Sequence, residues 1–184
     1  MRINQYFGTN GQWYRNNGID ILGHNGIDFW APDGHPVKAA HDGVVDFVGR
    51  DSKEGLGITI RTKYDKENKS GYKTIYWHLK DGRTFVEAGE EVKAGQVIAE
   101  ADNTGFSTGS HLHFGLKRIT FLTRGDYYNT DQENGYYGAI DPMPYFAKTA
   151  KEMAIMAIQR EILRISSLIL ELYRKLIAAR LQGK

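Results

Sequence analysis

The sequence predicts a mainly β protein followed by a C-terminal coiled-coil-like α-helix. Two observations point to the sheet and one to the helix. Glycine occurs 21 times in 184 residues, and up to about Tyr145 it joins Asp in turn dipeptides such as Asp33-Gly34, Asp42-Gly43 and Asp81-Gly82. Between the turns stand short runs rich in β-branched and aromatic residues, several of them alternating. From Lys148 the pattern changes: no Gly or Pro interrupts the chain before Gly183, and apolar residues recur at helical spacing.

Taken in order, strands are expected at residues 44–48, 57–62, 74–79 and 111–116, with the polar segment 63–71 as a hairpin loop. Residues 118–141, rich in Tyr, Asn, Asp and Gly, are too many for a simple turn. They are expected to wall a binding cleft with Tyr127, Tyr128, Tyr136 and Tyr137, the alternative being a self-packed surface loop. In the helix, Ile155, Ile158, Ile162, Ile165, Ile169, Leu172, Leu176 and Ala179 follow alternating steps of three and four, the seam of a left-handed coiled coil. Met156, Leu163, Leu168, Leu170 and Ile177 broaden that face toward a multi-helix bundle. The expected domains are therefore 1–147 and 148–184, with helix 148–182 making a homo-oligomer or docking a partner protein. Folding back onto the β domain and binding a membrane surface are the other uses of such a face.

A hydrophobic fraction of 41% is ordinary for a globular domain. The absence of cysteine excludes a disulfide framework and thiolate metal sites without choosing a compartment. A net charge of +2 is too small to argue for nucleic acid, although residues 151–184 carry +4 and residues 1–150 carry −2. No apolar stretch is long enough for a transmembrane segment, and the first residues lack the apolar run of a signal peptide.

Chemistry concentrates in two places. His111 and His113 alternate in Gly109-Ser110-His111-Leu112-His113-Phe114-Gly115, so on a strand both imidazoles project from one face. Upstream, His24 and Asp28 lie in Gly23-His24-Asn25-Gly26-Ile27-Asp28-Phe29-Trp30, whose glycines argue for a loop or strand and against a helix. Alone, His24 and Asp28 would read as a surface pair. Together with the second motif, in a chain lacking thiolates, imidazole and carboxylate point to zinc. We read His24, Asp28 and His113 as three ligands of a zinc site with a fourth position for water, the pattern of catalytic zinc. His78, ending the run Tyr76-Trp77-His78-Leu79, would by itself be a hydrogen-bonded core or rim residue. His35 and His41 fit turns, and residues 104–110 lack the Gly-Lys-Ser/Thr that would make them a phosphate loop.

These motifs, with Ala31-Pro32-Asp33-Gly34, Ala39-Ala40-His41-Asp42-Gly43-Val44-Val45 and the stretch from Val86 to Ile98, closely resemble the lysostaphin-type (LytM-like) zinc endopeptidases of bacterial cell walls. The resemblance runs from about Gln5 to Tyr145. It implies a compact antiparallel β-sheet fold with an open groove, and His24, Asp28 and His113 as the metal ligands. It also implies His78 and His111 as the two non-ligand catalytic histidines, and the peptide part of peptidoglycan as substrate, cut at a stem-peptide or cross-bridge amide. The implied site of action is extracellular, at the cell wall or in the periplasm, and for a wall hydrolase lacking a signal-peptide run the expected settings are a phage lysin, a virion-associated enzyme, a toxin released by another route, or a truncated piece of a longer protein. Two rivals remain: a catalytically silent wall-binding or partner-activating module of the same fold, and a lipoyl- or biotinyl-carrier hairpin at Val86 to Ile98. The carrier needs a lysine on a tight turn, and none has that setting.

Overall fold

Alternation decides which side chains meet. In β2 (Ile27–Trp30) Ile27 and Phe29 are buried in the core, so Asp28 and Trp30 project from the opposite face. In β10 (His111–Phe121) Phe114 and Leu116 turn inward and His111 and His113 share the face of Asp28. The computed structural model describes residues 2–146 and 150–182. Its elements before β10 are β1 (Ile3–Gln5), α1 (Gly11–Asn16), β2, β3 (Pro36–Lys38), β4 (Gly43–Asp51), β5 (Gly55–Arg61), β6 (Ser70–Trp77), β7 (Leu79–Thr84), β8 (Glu91–Val92) and β9 (Val97–Ala101). After it come β11 (Tyr127–Asn129), α2 (Met143–Phe146) and α3 (Ala150–Gln182).

The strands form an antiparallel sheet in the order β1-β2-β10-β6-β5-β4-β8, with β11 added beside β10, and a smaller sheet β3-β9-β7. One cross-strand row, Ile27–Phe114–Tyr76–Ile58, runs through the large sheet on its core side. All four side chains are at most 5% exposed, and the Tyr76 and Phe114 rings meet edge to face at 5.4 Å. Val37, Leu79 and Ile98 are the corresponding buried residues of the small sheet. At roughly 1.5–3 kcal/mol for each large apolar side chain buried, this core favours the fold without any disulfide. The next row, displaced by one residue, is Asp28–His113–Trp77, on the open face. A shift of register by one residue would exchange the two rows, so packing of the core is what aims the polar row outward.

All four expected strands form, each with altered limits. The run 74–79 breaks at His78, whose φ of +63° turns the chain out of the large sheet at Trp77 and into the small one at Leu79. A bulky residue in this left-handed region costs on the order of 1–3 kcal/mol and persists only where its surroundings hold it. Strand β10 continues five residues past the expected end, to Phe121, into the segment expected to be loop.

The chain divides into two compact units, Met1–Pro142 and Met143–Lys184. The expected boundary between residues 147 and 148 lies outside the described residues. In the second unit α3 runs as one helix from Ala150 to Gln182, and the expected start at Lys148 lies outside the described residues. Ile155, Ile158, Ile162, Ile165, Ile169, Leu172 and Leu176 are exposed. The Met156 and Ala179 side chains lie outside the described residues. Among the described residues no helix is long and apolar enough to cross a membrane.

Candidate metal centre and flanking histidines

Three donor atoms converge where β10 lies between β2 and β6. His24 Nε2 is 2.9 Å from His113 Nδ1, His113 Nδ1 is 3.0 Å from Asp28 Oδ1, and His24 Nε2 is 3.1 Å from the same Asp28 Oδ1. All three residues are buried. The strand pairing His113↔Asp28 sets two of them side by side. His24 arrives from the loop before β2, pinned by reciprocal backbone bonds from Gly8 N to His24 O and from His24 N to Thr9 O, both 2.8 Å. Gly26 cannot carry a side chain, since a Cβ there would come within 2.6 Å of the His113 ring. Among the described residues these three are the group arranged to hold a metal ion.

The donor set fits zinc. Ligands at about 2.0–2.2 Å on a tetrahedral ion lie roughly 3.3 Å apart, close to the separations found here. Two imidazole nitrogens and a carboxylate oxygen aimed at one point leave room for a cation and for little else. Electrostatics agree. Burial opposes charge on Asp28, but the hydrogen bonds with His113 and His24 hold its carboxyl far below the usual range. Burial pulls His24 downward, favouring the neutral imidazole that coordinates. Burial pulls His113 down as well, yet the facing Asp28 carboxylate outweighs it and raises that imidazole.

His78 and His111 flank this triangle without joining it, their ring centroids 4.6 Å apart. His78 Nδ1 lies 2.7 Å from Thr104 O, and His111 Nδ1 lies 2.7 Å from Gly109 O. A carbonyl can only accept, so both Nδ1 atoms carry the proton and both Nε2 atoms are left as acceptors. His111 Nε2 sits 3.6 Å from Asp28 Oδ2. His78 is 4% exposed, and burial pushes its imidazole down from 6.5 to about 4.

All five expected residues are thus brought together, whereas Tyr127 and Tyr128 of the expected tyrosine wall lie elsewhere. Tyr127 pairs with Phe121, eight residues along β10 from His113 and therefore about 27 Å away at the usual strand rise. It packs on Phe121 and bonds Asp46 and Lys73, closing a separate cluster at the far end of the sheet, with Tyr128 beside it. Tyr136 braces Phe7 at 4.5 Å, under the segment that holds His24, and the carbonyl of Tyr137 receives Lys117. Instead Tyr14, from α1, lies parallel to the His24 ring at 6.2 Å with its hydroxyl accepting from Gln5. Burial, then the charge of Asp28, raises that hydroxyl well above the usual phenol range, so it stays a donor. Neither Tyr14 nor the Thr104 carbonyl is marked in the sequence, one lying ten residues before His24 in no motif and the other acting through its backbone. His35 stays in its turn, and His41 bonds Asp42 O and Thr74 Oγ1 on a different part of the sheet.

Comparison with known proteins covers the same ground. The family described as peptidase family M23 matches residues 22–130. The glycyl-glycine endopeptidase ALE-1 of Staphylococcus capitis is 34% identical over 131 residues, 70% of this chain and 30% of its own length. The DD-carboxypeptidase/endopeptidase Mpg of Neisseria meningitidis serogroup B is 42% identical over 91 residues, 50% of this chain and 19% of its own. This chain therefore spans less than a third of the length of either relative. The catalytic domain of lysostaphin from Staphylococcus simulans superposes with a TM-score of 0.53 at 27% identity, covering 77% of this chain and 98% of that one. LytU superposes with a TM-score of 0.55 at 32% identity, covering 78% and 83%. The matched segment holds the metal triangle and both flanking histidines, and the chain belongs to peptidase family M23.

Proposed function

We propose that the chain is a zinc endopeptidase that hydrolyses an amide bond in the peptide part of bacterial peptidoglycan, acting at the cell wall or in the periplasm. The observation that carries this reading is the convergence of His24 Nε2, Asp28 Oδ1 and His113 Nδ1 beside two imidazoles whose Nε2 atoms are free to accept a proton. The substrate is taken from the relatives, whose names give DD-endopeptidase and glycyl-glycine endopeptidase activities. A zinc ion held by the three ligands supplies Lewis acidity toward the scissile carbonyl and lowers the pKa of a water from 15.7 toward roughly 7.

The chain's own residues then manage the proton. The proton transfer is assigned to His111, whose Nε2 lies 3.6 Å from Asp28 Oδ2, because burial pushes the His78 imidazole down. His111 takes the proton from the attacking water and returns it to the leaving amine. His78, fixed by Thr104 O, accepts a hydrogen bond from the same water and orients it. The Tyr14 hydroxyl, held protonated beside His24, donates toward the oxyanion.

The test is the clearing of purified cell walls by the full chain. Clearing is expected with zinc, lost with chelator and regained on adding Zn²⁺; walls that bind the chain but never clear would leave a silent binding module instead.

A further inference from the structure

Outside the metal triangle and its two histidines, one carboxylate near the centre is left without an ion-pair partner among the described residues. Glu54 stands at the tip of the β4–β5 hairpin, half-buried, and among the described residues its side chain enters no hydrogen bond or ion pair. The tip is held firmly. Asp51 Oδ1 accepts from the backbone N–H groups of Lys53 and Glu54 at 2.7 and 3.0 Å, and Phe106 N donates to Lys53 O at 2.6 Å. A Cβ on Gly105 would lie 2.4 Å from the Glu54 carbonyl carbon, so the hairpin tip is packed backbone to backbone against the loop before β10. That loop carries Thr104, which orients His78, and Phe106.

Aromatic faces border the same place. Phe106, 58% exposed, tilts over Trp13, 44% exposed, with ring centroids 5.6 Å apart. Trp13 meets Tyr14 edge to face at 5.0 Å, and Tyr14 in turn lies over His24. An unbroken line of rings thus leads from the loop at Phe106 to the metal centre. Glu54 lies within electrostatic reach of His113, Asp28 and Tyr14, yet it is not one of the clustered donor atoms.

A carboxylate drawn partly out of water with no direct ion-pair partner is held at a cost that an arriving cation relieves. The faces of Trp and Phe attract that same charge, while an anionic or neutral group gains from neither. We propose that Glu54, Trp13 and Phe106 form a subsite for a primary ammonium group of the peptide substrate, close to the bond that is cut. The placement rests on the endopeptidase reading; the chemistry of the subsite does not. The ammonium belongs either to a basic side chain or to a free amino terminus.

Calorimetric titration of the zinc-loaded full chain with four versions of one pentapeptide tests this. The parent has a central lysine and a free amino terminus; the others are acetylated at Nε, at the terminus, or at both. Acetylating the recognised amine is expected to weaken binding at least tenfold at low salt, and whichever single acetylation does so identifies the source. Glu54→Gln should bind all four within twofold of one another, and Phe106→Ala should lose at least threefold on the parent, with zinc content and circular dichroism unchanged in both. Equal affinity of wild type for all four peptides, a lack of binding included, overturns the subsite, as does a preference that survives in Glu54→Gln. Wall clearing without ammonium preference removes the subsite alone, whereas ammonium preference without any wall cleavage removes the endopeptidase reading alone.

Discussion

Replacing His78 with Asn removes one titrating group while keeping what its backbone needs. Asn tolerates the left-handed conformation that His78 adopts at φ +63°, and its amide can still donate toward Thr104 O. In the fold, burial depresses the imidazole from 6.5 to about 4, so between those values the unfolded chain binds more protons and stability rises with pH. The contribution is complete above about pH 6.5 and is lost as pH falls toward 4. For that shift, taking the metal-free chain from pH 7 to pH 4.5 should remove about 2 kcal/mol through His78 alone. Urea unfolding of wild type and His78→Asn at both pH values, with chelator present, isolates this amount as a double difference. The other buried groups titrate in both proteins and cancel to first order. Parallel pH dependence in the two proteins, within about 0.5 kcal/mol, would refute the claim that His78 is held neutral by burial.

Three further outcomes are expected. Alanine at His24, Asp28 or His113 should leave well under one zinc per chain by elemental analysis, whereas His78→Ala and His111→Ala should keep the metal and lose turnover by about 10²–10⁴-fold; equal loss of metal in all five variants contradicts the division of roles. Gly55→Ala, at φ +76° and with its new Cβ 2.5 Å from the Thr104 carbonyl carbon, should displace the support of His78, destabilise by about 1–3 kcal/mol and slow turnover with zinc still bound. Light scattering of the full chain should show concentration-dependent association through α3, and a monomer at high micromolar concentration removes the oligomer.

Period and spacing carried much of the fold and of the centre. The alternation through Ile27–Trp30 and His111–Phe114 is a backbone property, so it predicts which side chains share a face without knowing which strands pair. What it cannot supply is the partner across the sheet. Nothing local to Thr104 or Tyr14 says that one will hold His78 and the other cover His24, because both relations are made by loops that close over many residues. Tyr127 misled for a related reason. An aromatic-rich segment must bury its rings somewhere, and the extension of β10 to Phe121 carried Tyr127 to a cluster of its own at the far end of the sheet. His78 was legible only through the motif around it, since its use depends on a break in the strand that the run Tyr76-Trp77-His78-Leu79 conceals.

The ligands that share one point are contributed by β10 and by residues 85 and 89 positions earlier. A polypeptide still emerging from the ribosome, or one nicked anywhere between those segments and released from its fold, lacks this convergence of donors altogether. The three-donor site is consequently a property of the finished domain, complete only once β10 has paired with β2.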